Sequence, residues 1–163
     1  EGCLYDVVWL NNVLEHVIEP LSLLNDLSRI LSANGLAVIS VPNDFSWVQD
    51  EALSNKYVNH EYWVSPPEHL SYFNYQSLVN VLEHTGWDVL DIVSDFPVDW
   101  YLYHPGSNYI KDKSLGLDAH LASVNLENKM IEKAPLEDVL NLWRAMARVG
   151  CGRNLTALIK KAS

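Results

Sequence analysis

Within the first 42 residues two short apolar runs flank one amphipathic helical pattern, and this arrangement constrains the chain more than any other feature. Residues 5–10 (YDVVWL) form a nearly continuous apolar run of the kind a buried parallel strand shows. Asn11 and Asn12 end it. From Pro20, which suits a first helical position, Leu24, Leu27 and Leu31 recur on one stripe, flanked by Leu23 and Ile30. Gly35 after Asn34 fits a left-handed helix stop, and residues 36–41 (LAVISV) return to a strand pattern closed by Pro42. Strand, helix, strand is a βαβ unit, and its crossover is expected to be right-handed.

Further along, residues 43–74 show no clear period and carry Tyr57, Tyr62, Trp63, Tyr72 and Phe73. A connection of that length is usually functional, as a lid or binding loop is. Asn74 can cap a helix with Leu78, Val81 and Leu82 inward, ended by Gly86. Residues 87–93 (WDVLDIV) alternate as a strand does. Then Leu117, Leu121 and Val124 suggest one helix, and Pro135 opens another carrying Leu136, Val139, Leu140, Trp143 and Met146. Gly150 and Gly152 stop that helix, and residues 154–160 (NLTALIK) read as the last strand. The expectation is a single α/β domain over residues 1–163, with a helical insertion at about 95–150 before that strand.

Composition excludes some functions. A formal net charge of -10 argues against a nucleic-acid partner, because phosphate binding needs a basic footprint. No apolar run reaches the roughly 20 residues of a membrane-spanning helix, and no secretory pattern opens the chain. The chain begins with Glu1 and reaches a strand pattern within a few residues, so a cut-down or processed chain is expected. Cys3 and Cys151 are far apart without CxxC spacing, which points to two reduced thiols in a cytoplasmic protein.

Three segments then carry a specific resemblance. Residues 5–43, with Leu14-Glu15-His16-Val17, Pro20, Leu24, Arg29, Leu31, Gly35 and Val41-Pro42-Asn43, resemble the fourth strand, following helix and fifth strand of class I S-adenosylmethionine-dependent methyltransferases. The subgroup they resemble includes the ubiquinone-biosynthesis-type enzymes. Pro67-Glu68-His69-Leu70-Ser71-Tyr72-Phe73, with Ser77-Leu78 and Gly86-Trp87, looks like the segment that follows, and Gly152-Arg153-Asn154-Leu155-Thr156 like the start of the last strand. The insertion is loosely similar to methyltransferases from bacterial surface-polysaccharide gene clusters.

The resemblance implies a Rossmann-like sheet of order 3-2-1-4-5-7-6 with the last strand antiparallel, of which this chain supplies strands 4, 5, 6 and 7. It implies S-adenosylmethionine as cofactor and methyl transfer to a small-molecule acceptor, with carbohydrate as one candidate. The Gly-x-Gly turn and the ribose-holding acid of that family have no counterpart here. The chain alone is therefore expected to be inactive and to bind the cofactor weakly or not at all. A non-catalytic binding or assembly module that keeps half of the fold is the alternative, since fold alone does not fix function.

Site residues follow from the same likeness. Asn11, Asn12 and Val13 follow the fourth strand, where the family's backbone passes the methionine end of the cofactor, although Asn is also a favoured turn residue. His16 takes the place of a histidine that faces the cofactor pocket. His69 is the candidate base, because a hydroxyl or amine acceptor gains from a nearby imidazole near neutral pH; a structural histidine orienting its loop is the bland reading. Tyr57, Tyr62, Trp63 and Tyr72 could cover the acceptor or meet the sulfonium by cation–π attraction, or could simply pack the loop.

A metal is not expected. Glu15-His16, His60-Glu61, Glu68-His69 and Glu83-His84 are adjacent pairs, which do not share a helix face, and Val64 breaks an HExxH pattern at residue 60. Gly150-Cys151-Gly152 lacks a third glycine and reads as helix termination rather than a phosphate loop. Finally, without a neighbour on its outer side, the strand at residues 5–10 would be an unguarded edge; a homodimer through it is expected, with the long insertion laid across it as the alternative.

Overall fold

The computed structural model describes residues 4–162. Its elements are β1 (Tyr5–Asn11), α1 (Pro20–Ile30), β2 (Leu31–Pro42), α2 (Trp47–Ser54), α3 (Tyr75–His84), β3 (Trp87–Ser94), α4 (Gly116–Lys133), α5 (Leu136–Arg148) and β4 (Asn154–Lys161). Short 3-10 turns occupy Leu14–His16, Val98–Tyr103 and Lys113–Leu115. The four strands form one sheet of order β1-β2-β4-β3. β1 runs parallel to β2, pairing Val7 with Leu36 and Asn11 with Ser40. β4 runs antiparallel to both β2 and β3, with Pro42 opposite Asn154.

One face of this sheet carries the main core. Leu24 and Leu27 of α1, Leu78 and Leu82 of α3, and Ile39, Leu155, Ala157 and Ile159 of the strands are all buried there. The alternation of β4 accounts for its part: Leu155, Ala157 and Ile159 point one way, with half-buried residues between them. Ile92 of β3 enters this core, and its neighbour Val93 packs into a second cluster with Val48, Val139, Trp143, Met146 and Cys151. At the sheet edge, β1 sends Val8 and Leu10 into the main core and leaves Val7 62% and Trp9 67% exposed.

Helix starts follow local chemistry. Asn74 caps α3, accepting from the Ser77 N–H at 3.0 Å, while the Ser77 hydroxyl accepts from the Asn74 N–H at 2.9 Å. Gly86 ends the turn after α3 at φ 81°, a conformation that disfavours any Cβ.

Two local expectations are corrected. Gly35 does not stop α1 in a left-handed conformation; the helix ends at Ile30, Leu31 is already extended, and β2 runs on through Gly35. Strand pairing with β1 begins at Tyr5 opposite Leu31, so sheet hydrogen bonds win over the last helical turn. The stretch 43–74 is not wholly irregular, since α2 lies within it, started by a capping box between Ser46 and Gln49. That Ser-x-x-Gln signal was present in the sequence. Cys151 is a buried free thiol, whereas Cys3 lies outside the described residues. Among the described residues no helix is long and apolar enough to cross a membrane.

Candidate active site

Because β4 runs antiparallel to β2, its first residues lie beside the C-terminal ends of β1 and β2. Four segments meet there: residues 11–16, residues 43–44, the loop 65–73, and Arg153. β1, β2 and β3 all point towards this end, and the crevice beyond strand C-termini is where open α/β sheets bind ligands.

Backbone hydrogen bonds clamp the segments together. The Glu15 carbonyl accepts from the Leu70 N–H at 2.8 Å and the Ser71 N–H at 3.1 Å, which pins the loop bearing His69 onto the turn after β1. Phe73 offers its carbonyl to the Asp44 N–H at 2.7 Å, and the Asn43 N–H donates to the Arg153 carbonyl at 2.8 Å. The Asn43 side-chain amide donates to the Gly152 carbonyl at 3.0 Å. Gly152 has φ 93°, and a Cβ there would fall 2.5 Å from the Ser94 Cβ, so this close approach requires glycine.

The imidazoles of His16 and His69 stand edge to face, 4.9 Å between centroids. His16 Nδ1 lies 2.6 Å from the Glu68 carbonyl. Below them Glu15 is fully buried, and neither of its carboxylate oxygens has a hydrogen-bond partner among the described residues. The Tyr72 hydroxyl accepts from the Ser65 N–H at 3.1 Å and donates to the His69 carbonyl at 3.3 Å, bracing the loop.

Beside this group lies a second polar cluster. Arg153 donates to Asp44 Oδ1 at 2.8 Å, and Asp99 accepts from the Tyr109 hydroxyl at 2.6 Å and from the Gln49 amide at 3.3 Å. Burial pushes the Asp44 carboxyl up from its ordinary value, against the lowering pull of Arg153 and the charge of His69. Burial, reinforced by the charge of Asp99, pushes the Tyr62 and Tyr109 hydroxyls well up, so both stay protonated. Arg153 and Tyr109 also border a cavity of about 360 Å³ that Asp95, Phe96, His120 and Glu127 help to line.

The expected site residues separate into groups. His16 and His69 come together with Glu15. Asn11 and Asn12 are exposed at the end of β1, Asn12 at φ 52°, with its N–H bonded to the Ser40 carbonyl, and Val13 leads into the turn. Tyr72 lies beside His69, ring centroids 6.1 Å apart. Trp63 is buried against Phe45 and Tyr62. Tyr57 stacks at a tilt on Tyr103, 4.8 Å away, in a third small core that also holds Tyr62. Sequence reasoning did not single out Asp44, Asp99 or Tyr109: Arg153 and Gln49 reach Asp44 and Asp99 from far along the chain, and the Asp99–Tyr109 pair matches no motif.

The sequence model of the family described as "Methyltransferase domain" matches residues 2–92, more than half of the chain. The chain belongs to this methyltransferase-domain family. Two solved structures share the fold of this methyltransferase domain. One is the [4+2]-cyclase SpnF, at TM-score 0.50 and 12% identity, covering 99% of this chain and 51% of that one. The other comes from the complex between the Haloferax volcanii Trm112 methyltransferase activator and a methyltransferase, at TM-score 0.50 and 13% identity, covering 100% and 56%. The chain thus spans about half the length of the solved structures it matches. No curated protein matches its sequence.

Proposed function

We propose that this methyltransferase domain supplies the acceptor side of an S-adenosylmethionine-dependent methyl-transfer centre. The observation that carries the reading is the pinning of the His69 loop onto Glu15, which sets an imidazole beside the end of β1. The order β1-β2-β4-β3 with β4 antiparallel supports assigning these strands as 4, 5, 7 and 6 of a seven-stranded sheet. In that frame Asn11, Asn12, Val13 and His16 flank the methionine end of the cofactor, and His69 is the base that takes the acceptor's proton. Methyl transfer is an in-line displacement at a sulfonium, so positioning supplies much of the rate and the base a further factor. As acceptor we favour a small hydroxylated, carbohydrate-like compound covered by Tyr72 beside His69.

In the parent enzyme, where this chain is joined to a cofactor-binding half, transfer of tritium from methyl-labelled S-adenosylmethionine to a panel of sugars and small alcohols tests this reading. His69→Ala is expected to lower turnover on the order of a hundredfold while leaving cofactor affinity unchanged. Turnover near wild type in a folded His69→Ala protein overturns the base assignment. Calorimetric titration of the 163-residue chain alone is expected to give weak or no cofactor binding, and a micromolar or tighter constant would contradict that part.

A second reading, assembly rather than catalysis, draws support from one feature. β1 forms a sheet edge with Val7 and Trp9 exposed, and a strand edge of this kind pairs readily with a second copy.

A further inference from the structure

We infer that Glu15, His16 and His69 form a site for one divalent transition-metal ion. One donor atom from each residue lies within 4.8 Å of those of the other two. Donors around a tetrahedral ion at about 2.1 Å stand about 3.4 Å apart, so closing the group onto an ion takes side-chain movements on the order of 1 Å.

Three features beyond proximity point to a cation. Glu15 is fully buried, and both of its oxygens lack a hydrogen-bond donor among the described residues. An ionised carboxylate in that position is costly unless a cation compensates it. His16 is already set as a ligand. A carbonyl can only accept, so the 2.6 Å contact to Glu68 places the proton on Nδ1. Nε2 is then left with its lone pair, 3.7 Å from Glu15 Oε1. Fixing the tautomer through the other ring nitrogen is how metal-binding histidines are ordinarily oriented. His69 supplies the third feature, for its Nδ1 is buried without a hydrogen-bond partner.

The site is also held and open in the right places. Leu70 and Ser71 donate to the Glu15 carbonyl, which ties the His69 loop to the segment carrying the other two ligands. The side chain of His16 is 44% exposed, which gives an ion a path in and leaves coordination positions free. Two imidazoles with one carboxylate favour zinc, manganese, iron or cobalt over magnesium and calcium, which prefer all-oxygen shells. The ligands come from two segments some fifty residues apart, so no helical spacing announces them. An ion held there would itself lower the pKa of an acceptor hydroxyl, so the base role of His69 is that of the metal-free protein.

The test uses the metal-stripped chain and needs neither cofactor nor acceptor, so its outcome is independent of the methyl-transfer reading. Calorimetric titration with Zn²⁺ is expected to give one ion per chain at micromolar or tighter affinity. Co²⁺ should bring visible d–d absorption, and Mg²⁺ should give no comparable binding. Glu15→Gln, His16→Ala and His69→Ala should each weaken Zn²⁺ binding roughly a hundredfold, while His84→Ala leaves it unchanged. His16 lies at the surface, so His16→Ala keeps the test meaningful even if a change at buried Glu15 disturbs folding. Absence of Zn²⁺ binding below millimolar concentration, or binding that survives His16→Ala and His69→Ala, overturns the proposal.

Discussion

Replacing Arg153 by Met removes the cation facing a carboxylate that is almost wholly buried. Asp44 has a side chain 1% exposed, and its Oδ2 already lacks a hydrogen-bond partner among the described residues, so the 2.8 Å contact from Arg153 to Oδ1 is its main compensation. Breaking a buried pair from one side costs about 3–5 kcal/mol. The Arg153 side chain is 25% exposed, so water can reach part of the site and the lower end, about 3 kcal/mol, is expected. At roughly 2–4 °C per kcal/mol for a domain of this size, the melting temperature should fall by about 6–12 °C. Urea unfolding at pH 7 should show the same loss with an unchanged m value. Combining Arg153→Met with Asp44→Asn takes away the stranded charge, so the double variant should recover at least about 1 kcal/mol relative to the sum of the singles. A loss below about 1 kcal/mol for Arg153→Met, or singles that add within about 0.5 kcal/mol, would refute the assigned coupling.

Further outcomes follow from other elements. Leu24→Ala, at a fully buried position where α1 meets the sheet, should cost about 2–5 kcal/mol in urea unfolding. Gly152→Ala should destabilise by more than about 2 kcal/mol, because the added methyl meets Ser94 and the backbone takes a positive φ; an unchanged midpoint would show that the loop shifts freely. Burial holds the Glu127 carboxyl above its unfolded value of 4.5, so its stabilising contribution is present below that pH and lost as pH rises through the raised native value. Glu127→Gln, which keeps the acceptor for the Phe96 N–H, should therefore melt like wild type near pH 4 and higher than wild type at pH 7. Light scattering at micromolar concentration should detect a dimer through β1 that Val7→Lys abolishes, and a monomeric wild type would exclude that contact.

The sequence by itself determined the elements whose signals are local. The stripe of Leu24 and Leu27 behind Pro20 specified α1, the alternation at residues 154–160 specified β4, and Asn74 specified the start of α3, since capping and periodicity act over a few residues. The motif segments around Glu15-His16 and His69 pointed to the methyltransferase-domain family. Tertiary structure decided what depends on distant partners. Pairing with β1 drew Leu31 out of the helix and through Gly35 into β2. Insertion of β4 between β2 and β3 brought Arg153 to Asp44, over a hundred residues away in the chain. The loop 65–73, folded back onto the Glu15 carbonyl, joined His69 to His16 and an uncompensated buried carboxylate. Adjacent Glu–His pairs look alike in sequence; only burial and cross-chain contacts give one of them unpaired oxygens facing two imidazoles.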